Sequence, residues 1–402
     1  MRIGMIASPW IAVPPPAYGG TETVIHNLCV GLRHRGHEVH LVTVTESTCP
    51  VLCSAVFEQS PTVIGDPISE IVQARAAYAL FQDVDVIHDH TTVGPQFLPE
   101  TVAGKVPVVT TVHGPFTLTT RLMYANRPDN LSVIAISHAQ RAMAPEIDVA
   151  AVVHHGIDTD LHQPGPGRGG YLVFVGRMSP DKGPDRAIEV AQRVGIPLVL
   201  AAKMREQDEI AYFEQRVKPK LGPDVTFIGE ADTGTRLDLL QHAEAMVNPI
   251  CWPEPFGLVM AEALACGTPV IALGYGAAPE IVDHEVTGFV CDDLDAMVAA
   301  VGRLDEIDRA ECRAVAVDRF SVARMASDHE ALYEHVVSPW ESASLAKDVA
   351  LPGAPGRAVD DGEAAVMRTT ADEVVTPFDP ARKRAHRPCV RPRTVEGLGT
   401  GG

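Results

Sequence analysis

The chain of 402 residues is short of positive charge. Its 33 Lys and Arg residues face 52 Asp and Glu, a net charge of −19. A surface of that sign repels polyanions, which argues against nucleic acid as a partner and weakens docking on anionic lipid. Long hydrophobic runs are missing too. No segment reaches the roughly 18–20 unbroken apolar residues of a membrane helix. Residues 1–13 are apolar, but Gly4, Ser8 and Pro9 interrupt them, so they read as a first buried strand rather than a signal peptide. The eight cysteines, at 29, 49, 53, 251, 266, 291, 312 and 389, form no CxxC pair. Cys49 and Cys53 lack the second close pair that a zinc site needs. Scattered thiols of this kind suit a reducing compartment, so a cytoplasmic location is expected. No repeat of solenoid period occurs. The stretch from Ser8 to Gly20 lacks G-x-G-x-x-G, which argues against a dinucleotide-binding dehydrogenase.

What is present is a regular alternation. Hydrophobic residues make up 46% of the chain, enough for two domain cores. Short β-branched runs alternate with helical patterns over residues 1–340, which predicts βα units and parallel sheets. Strands are expected at 2–7, 38–43, 84–88, 106–111, 131–136 and 150–154, then at 171–175, 197–201, 225–228, 245–248 and 269–273. Helices are expected at 21–35, 68–82, 184–194, 233–243, 257–266, 294–304 and 322–336. The segment 163–170, Gln-Pro-Gly-Pro-Gly-Arg-Gly-Gly, breaks both periodicities and reads as a linker. The expected domains are therefore 1–162 and 170–320, followed by a helix at 321–345. Residues 346–402 have little periodic apolar content and are expected to be a disordered tail. They carry a basic cluster, Arg382, Lys383, Arg384, Arg387, Arg391 and Arg393, that reads as a solvated tail or an anionic tether.

Two motifs carry chemistry. Gly176-Arg177-Met178-Ser179-Pro180-Asp181-Lys182-Gly183 follows a strand, so Arg177 and Lys182 can be aimed at one anion. Glu254-Pro255-Phe256-Gly257-Leu258 opens a helix that also holds Glu262. With Pro255 as the first helical residue, Glu254 stands at the helix entrance. Glu262 then lies two turns on, about 12 Å along the axis. That exceeds the roughly 5–5.5 Å of a retaining glycosidase pair. It suits two carboxylates holding opposite ends of one elongated ligand, with the helix N-terminus offering free N–H groups to phosphate. His113, after the strand at 106–111, is a candidate at the same edge. His88-Asp89-His90 ends another strand; two alternating histidines without a third clustered ligand read better as cleft lining near an acceptor than as a metal site.

On these residues the chain resembles the retaining glycosyltransferases of family 4. The Glu-x7-Glu signature stands as Glu254 and Glu262, and the Arg/Lys pair as Arg177 and Lys182. Tyr18-Gly19-Gly20-Thr21-Glu22, Thr111-Val112-His113-Gly114, Pro279-Glu280-Ile281-Val282 and Thr287-Gly288-Phe289-Val290 fit as well. The resemblance covers about residues 1–340. It implies an α/β protein of GT-B architecture, two Rossmann-like domains facing across a cleft. It implies a nucleoside-diphosphate sugar as donor, a hydroxyl acceptor, no cofactor and no essential metal. Glu262 would hold the donor ribose. Glu254, with the backbone at Phe256, Gly257 and Leu258, would hold the transferred sugar. Arg177 and Lys182 would bind the diphosphate, Gly19 and Gly20 would let a helix N-terminus approach it, and His113 would lie near the anomeric centre. His155-Gly156-Ile157-Asp158 departs from the family's Asn-Gly-x-Asp, and Gly274-Tyr275-Gly276-Ala277-Ala278 from its commoner Gly/Ser-rich loop. A nucleotide-sugar epimerase, a glycosyl phosphorylase and a non-catalytic binding protein remain alternatives. Base, sugar, acceptor and oligomeric state stay open, with a mild preference for a small soluble acceptor.

Overall fold

The structure is a computed structural model. It describes residues 1–17 and 19–348, the last eight by backbone alone. Tyr18 and the basic cluster from Arg382 to Arg393 lie outside the described residues. The first compact unit is Met1–Leu345, and it contains two parallel sheets.

The N-terminal sheet comprises β1 (Arg2–Ile6), β2 (Glu38–Thr43), β3 (Leu52–Ala55), β4 (Val86–Asp89), β5 (Val108–Thr111), β6 (Leu131–Ala135) and β7 (Val149–Val152). Their order is β3-β2-β1-β4-β5-β6-β7. The second sheet comprises β8 (Leu172–Arg177), β9 (Leu198–Lys203), β10 (Val225–Gly229), β11 (Ala245–Asn248), β12 (Val270–Leu273) and β13 (Gly288–Cys291), in the order β10-β9-β8-β11-β12-β13. All the strand pairs are parallel, with Ile3 of β1 opposite Val39 on one side and Val86 on the other. β4, β5, β11 and β12 are buried along their whole length, as strands of a parallel sheet covered on both faces are. In each sheet the strand order reverses at the first strand, β1 or β8. The crevice outside the carboxyl ends at that point is where open α/β sheets bind ligands.

Two strands escape the pattern reading. β3 is an edge strand whose Leu52 is exposed, so it shows no buried apolar face. β13 is only four residues long and starts with glycine. Helices Leu118–Ala125, His138–Ala142, Gln207–Tyr212, Ala278–Ile281 and Arg309–Phe320 also go beyond the expected set. All but the last are one or two turns long. Arg309–Phe320 is rich in charge, and Asp308 caps it by accepting from the Ala310 N–H at 2.8 Å.

The last helix, Val322–Asp348, runs further than the expected 322–336. Its Met325, Ala326, Leu332 and Tyr333 pack with Ile3, Met5, Leu28 and Leu32 of the N-terminal lobe. The chain thus crosses between lobes twice, and the two crossings lie side by side. Ile157 donates to the Phe320 carbonyl at 2.8 Å and accepts from the Val322 N–H at 3.2 Å. A third link is Glu280, whose carboxylate accepts from the His138 N–H at 2.8 Å, the Ala139 N–H at 2.6 Å and His154 Nε2 at 3.0 Å.

Candidate active site

A cleft of about 600 Å³ opens where the two crevices face each other. It is lined from both lobes, and two helix N-termini converge on it. Gly20 begins the helix Gly20–His34, and Leu258 begins the helix Leu258–Ala265. A methyl group built on Gly20 would sit 3.4 Å from Leu258 Cδ1, so the two ends are near van der Waals contact. Each end leaves N–H groups without intrahelical partners and carries partial positive charge. Facing each other, they form a site for an anion.

Of the residues singled out in the sequence, His113, Gly19, Gly20, Lys182, Glu254, Phe256, Gly257, Leu258 and Glu262 all line this cleft. The Lys182 ammonium contacts the Glu254 carboxylate directly. Glu262 lies 3.5 Å from Arg236 and 3.9 Å from His162. Arg177 is not among the lining residues. Its guanidinium turns to Asp181 at 3.3 Å and Glu209 at 3.9 Å.

The expected place of Glu254 needs correction. The helix starts at Leu258, not at Pro255, because Gly257 adopts a left-handed conformation with φ 102°. Such a residue cannot continue a right-handed helix, and a side chain there would be strained and would strike Met260 Cε at 2.5 Å. Phe256 is 2% exposed, so the chain turns inward to bury it before the helix begins. Glu254 therefore sits in the loop after β11, where its carbonyl accepts from the Ala277 N–H at 2.9 Å. The two carboxylates still face one cleft, but the helical rise does not set their separation.

A column of histidines backs the cleft. His88 lies between Tyr333 and Thr111, with its nitrogens 2.7 and 2.8 Å from those hydroxyls. Its ring centroid is 3.9 Å from that of His90, and His113 stacks on His155 at 5.2 Å. His90 Nε2 is 3.0 Å from Met5 Sδ, and His90 Nδ1 is 2.9 Å from His113 Nε2. A thioether has no proton to give, so His90 Nε2 carries the hydrogen. His90 Nδ1 then accepts from His113 Nε2, which leaves a bare lone pair on His113 Nδ1, an atom without a partner in the structure. Burial pushes the basicity of His88, His90 and His155 down, and that of His113 down to about 3. His113 is thus a hydrogen-bond acceptor that stays neutral, not a proton acceptor. Asp89 points elsewhere, accepting from the Thr91 N–H at 2.8 Å and from the Tyr78 hydroxyl. No group of three or more potential metal ligands occurs among the described residues.

Several site residues were not foreseen. Trp252 donates from Nε1 to Glu254 Oε2 at 3.0 Å, and its ring lies 5.5 Å from the Lys182 ammonium. It stands two positions before Glu254, so proximity to that motif was the available signal. Arg236 and His162 reach Glu262 from a helix and a linker far away in sequence, with no local motif to mark them.

Residues 18–161 match glycosyltransferase family 4, and residues 162–312 match the glycosyl transferases group 1. D-inositol 3-phosphate glycosyltransferase of Mycolicibacterium paratuberculosis is 31% identical over 234 residues, 53% of this chain and 49% of that protein. The chain spans about half the length of the first curated relatives it matches. Among solved structures, AviGT4, a glycosyltransferase involved in avilamycin A biosynthesis, is 27% identical with a TM-score of 0.64, covering 84% of this chain and 98% of that one. Anabaena HepE, solved in complex with UDP-glucose, is 18% identical with a TM-score of 0.63, covering 84% and 100%, and shares the fold. No described helix is long and apolar enough to cross a membrane. With both lobes matched and the signature carboxylates gathered in one cleft, this chain belongs to glycosyltransferase family 4.

Proposed function

We propose that this chain transfers a hexosyl group from a nucleoside-diphosphate sugar to a hydroxyl acceptor, keeping the anomeric configuration. The observation that carries the reading is the convergence of two helix N-termini, Lys182, Glu254 and Glu262 on one cleft. The diphosphate would lie between the helix ends, with Lys182 turning from Glu254 to it. Glu254, still held by the Trp252 indole, would accept from hydroxyls of the transferred sugar. Glu262, flanked by Arg236 and His162, would take the ribose. Arg177 would add its charge by leaving Asp181, an exposed pair worth about 1 kcal/mol or less.

As the glycosidic bond breaks, negative charge grows on the departing phosphate. The helix ends, and Lys182 once it has turned from Glu254, would then stabilise the transition state more than the ground state. The acceptor hydroxyl approaches the same face, and the departing phosphate oxygen takes its proton. The neutral His113 fits this scheme, because an imidazole that protonates only near pH 3 does not serve as a base at neutral pH. Closing of the lobes would keep water from the donor. HepE with UDP-glucose bound supports a sugar-nucleotide reading for the shared fold.

The test is the stereochemistry of transfer. The purified chain is incubated with nucleotide hexoses and a panel of small hydroxyl acceptors, and the new linkage is read by NMR. Retained configuration supports the proposal; an inverted product contradicts it.

A further inference from the structure

A second cavity, of about 360 Å³, opens on the N-terminal lobe beside the cleft, and Thr21 and His113 line both. Two of its hydroxyl groups, Ser8 and Thr91, have their protons engaged behind the wall. Ser8 Oγ donates to Glu70 Oε1 at 3.0 Å, so only its lone pairs remain for a ligand. Thr91 Oγ1 accepts from the Gly94 N–H at 3.1 Å and donates to the Asp89 carboxyl group, which leaves a lone pair. His113 Nδ1 is buried without a partner at the same wall. Glu22, 7% exposed, lines the wall with a carboxyl group that burial pushes above its ordinary range. Lys203 at the end of β9 pulls it back less strongly than burial pushes. Behind the wall lie two more buried carboxyl groups, Glu70 and Asp89. Glu70 bonds the Ser8 hydroxyl and the Val93 N–H, and Asp89 the Thr91 N–H.

The wall itself carries no cation. Among the described residues that line the cavity there is no Lys or Arg. The wall offers instead the rings of Trp10 and Tyr124 and the side chains of Ile11 and Ile64. Such surfaces pack against the apolar face of a saturated ring. The Trp10 indole N–H is buried without a partner. A phosphate ester placed here would lose its water for a wall without Lys or Arg and with three carboxyl groups near it, which the helix N-terminus at Thr21 and the charge of Lys203 offset only in part.

We propose that this cavity takes an uncharged polyhydroxyl ring as acceptor and rejects phosphate esters of such rings, with Glu22 accepting from the ring hydroxyls. The inference rests on the transferase reading for the placing of the acceptor next to the donor cleft. It separates this chain from the relatives named for D-inositol 3-phosphate, whose phosphorylated substrate is not carried over by the likeness in sequence.

The experiment uses matched pairs. The full chain, with and without nucleoside diphosphate, is titrated with inositol against inositol 3-phosphate and with glucose against glucose 6-phosphate, followed by ligand-observed NMR. Binding of nucleotide sugars is measured on the same samples. The neutral member should bind at least about tenfold more tightly, a difference of about 1.4 kcal/mol. In Glu22→Gln the ratio between the two members should shrink to about threefold or less, because removing the carboxyl charge removes discrimination; a ratio is insensitive to the fraction of folded protein. Equal or tighter binding of the phosphate esters, an unchanged ratio in Glu22→Gln, or no binding of any probe overturns the proposal. If the neutral rings are preferred but no nucleotide sugar binds, the transferase reading fails while the selectivity of the cavity stands.

Discussion

Lowering the pH from 7 to 5.5 should destabilise the N-terminal lobe sharply, through the histidine column. His88, His90, His113, His155 and His329, whose ring centroid lies 5.3 Å from that of His88, are all held neutral by burial, His113 with a pKa of about 3 and His329 of about 4. In the unfolded chain each imidazole titrates near pH 6.5. Their folded pKa values are depressed, so stability is intact above about pH 6.5 and is lost as pH falls toward the folded values, because only the unfolded chain takes up the protons. Each group costs about 1.4 kcal/mol per pH unit within that window. Asp89 acts the other way. Burial holds its pKa up at about 7, so as pH falls the native state gains a proton that the unfolded chain does not yet bind. Five imidazoles against this one carboxyl leave a net loss of about 5 kcal/mol between pH 7 and 5.5. For a lobe of this size that lowers Tm by roughly 10–20 °C. Thermal unfolding followed by circular dichroism at matched ionic strength measures it. A Tm that holds within about 3 °C down to pH 5.5 would refute the reasoning, since the column would then be hydrated or already charged.

Three substitutions extend the account. Lys182→Ala removes a cation that lines the cleft, and kcat should fall by about 10²–10³; unchanged turnover would show the diphosphate lies elsewhere. Trp252→Phe keeps an aromatic ring there but deletes the N–H on Glu254, about 1.5 kcal/mol, so kcat/KM should drop by about tenfold in steady-state assays. Glu280→Gln weakens the carboxylate that ties His138, Ala139 and His154 of one lobe to the other, and should cost about 2 kcal/mol, read as a fall of several degrees in Tm.

The regular parts of the fold were legible because local and global signals agree. The helix Pro184–Val194 was read end for end, since Pro184 suits its first turn and Gly195 its left-handed C-cap. Strand β2 was read whole from its alternation. The edge strand β3 was not, because an exposed strand needs no apolar face. The motifs that line the cleft were legible as residue types, but not as geometry. Nothing local shows that Gly257 turns left-handed and drops Glu254 out of the helix, or that Arg177 faces Asp181 rather than the cleft. The cavity around Glu22 was hidden for a different reason. Ser8, Thr91, Thr111 and His113 come together only because β1, β4 and β5 are neighbours in the sheet and end at one edge.

The central claim is that the cleft binds a nucleoside-diphosphate sugar. Calorimetric titration of UDP-, GDP-, ADP- and TDP-hexoses into the purified chain and into Lys182→Ala tests it most directly. Saturable binding of at least one donor, weakened in Lys182→Ala, is the predicted result. Absence of binding by all four, or equal binding by the variant, would contradict it.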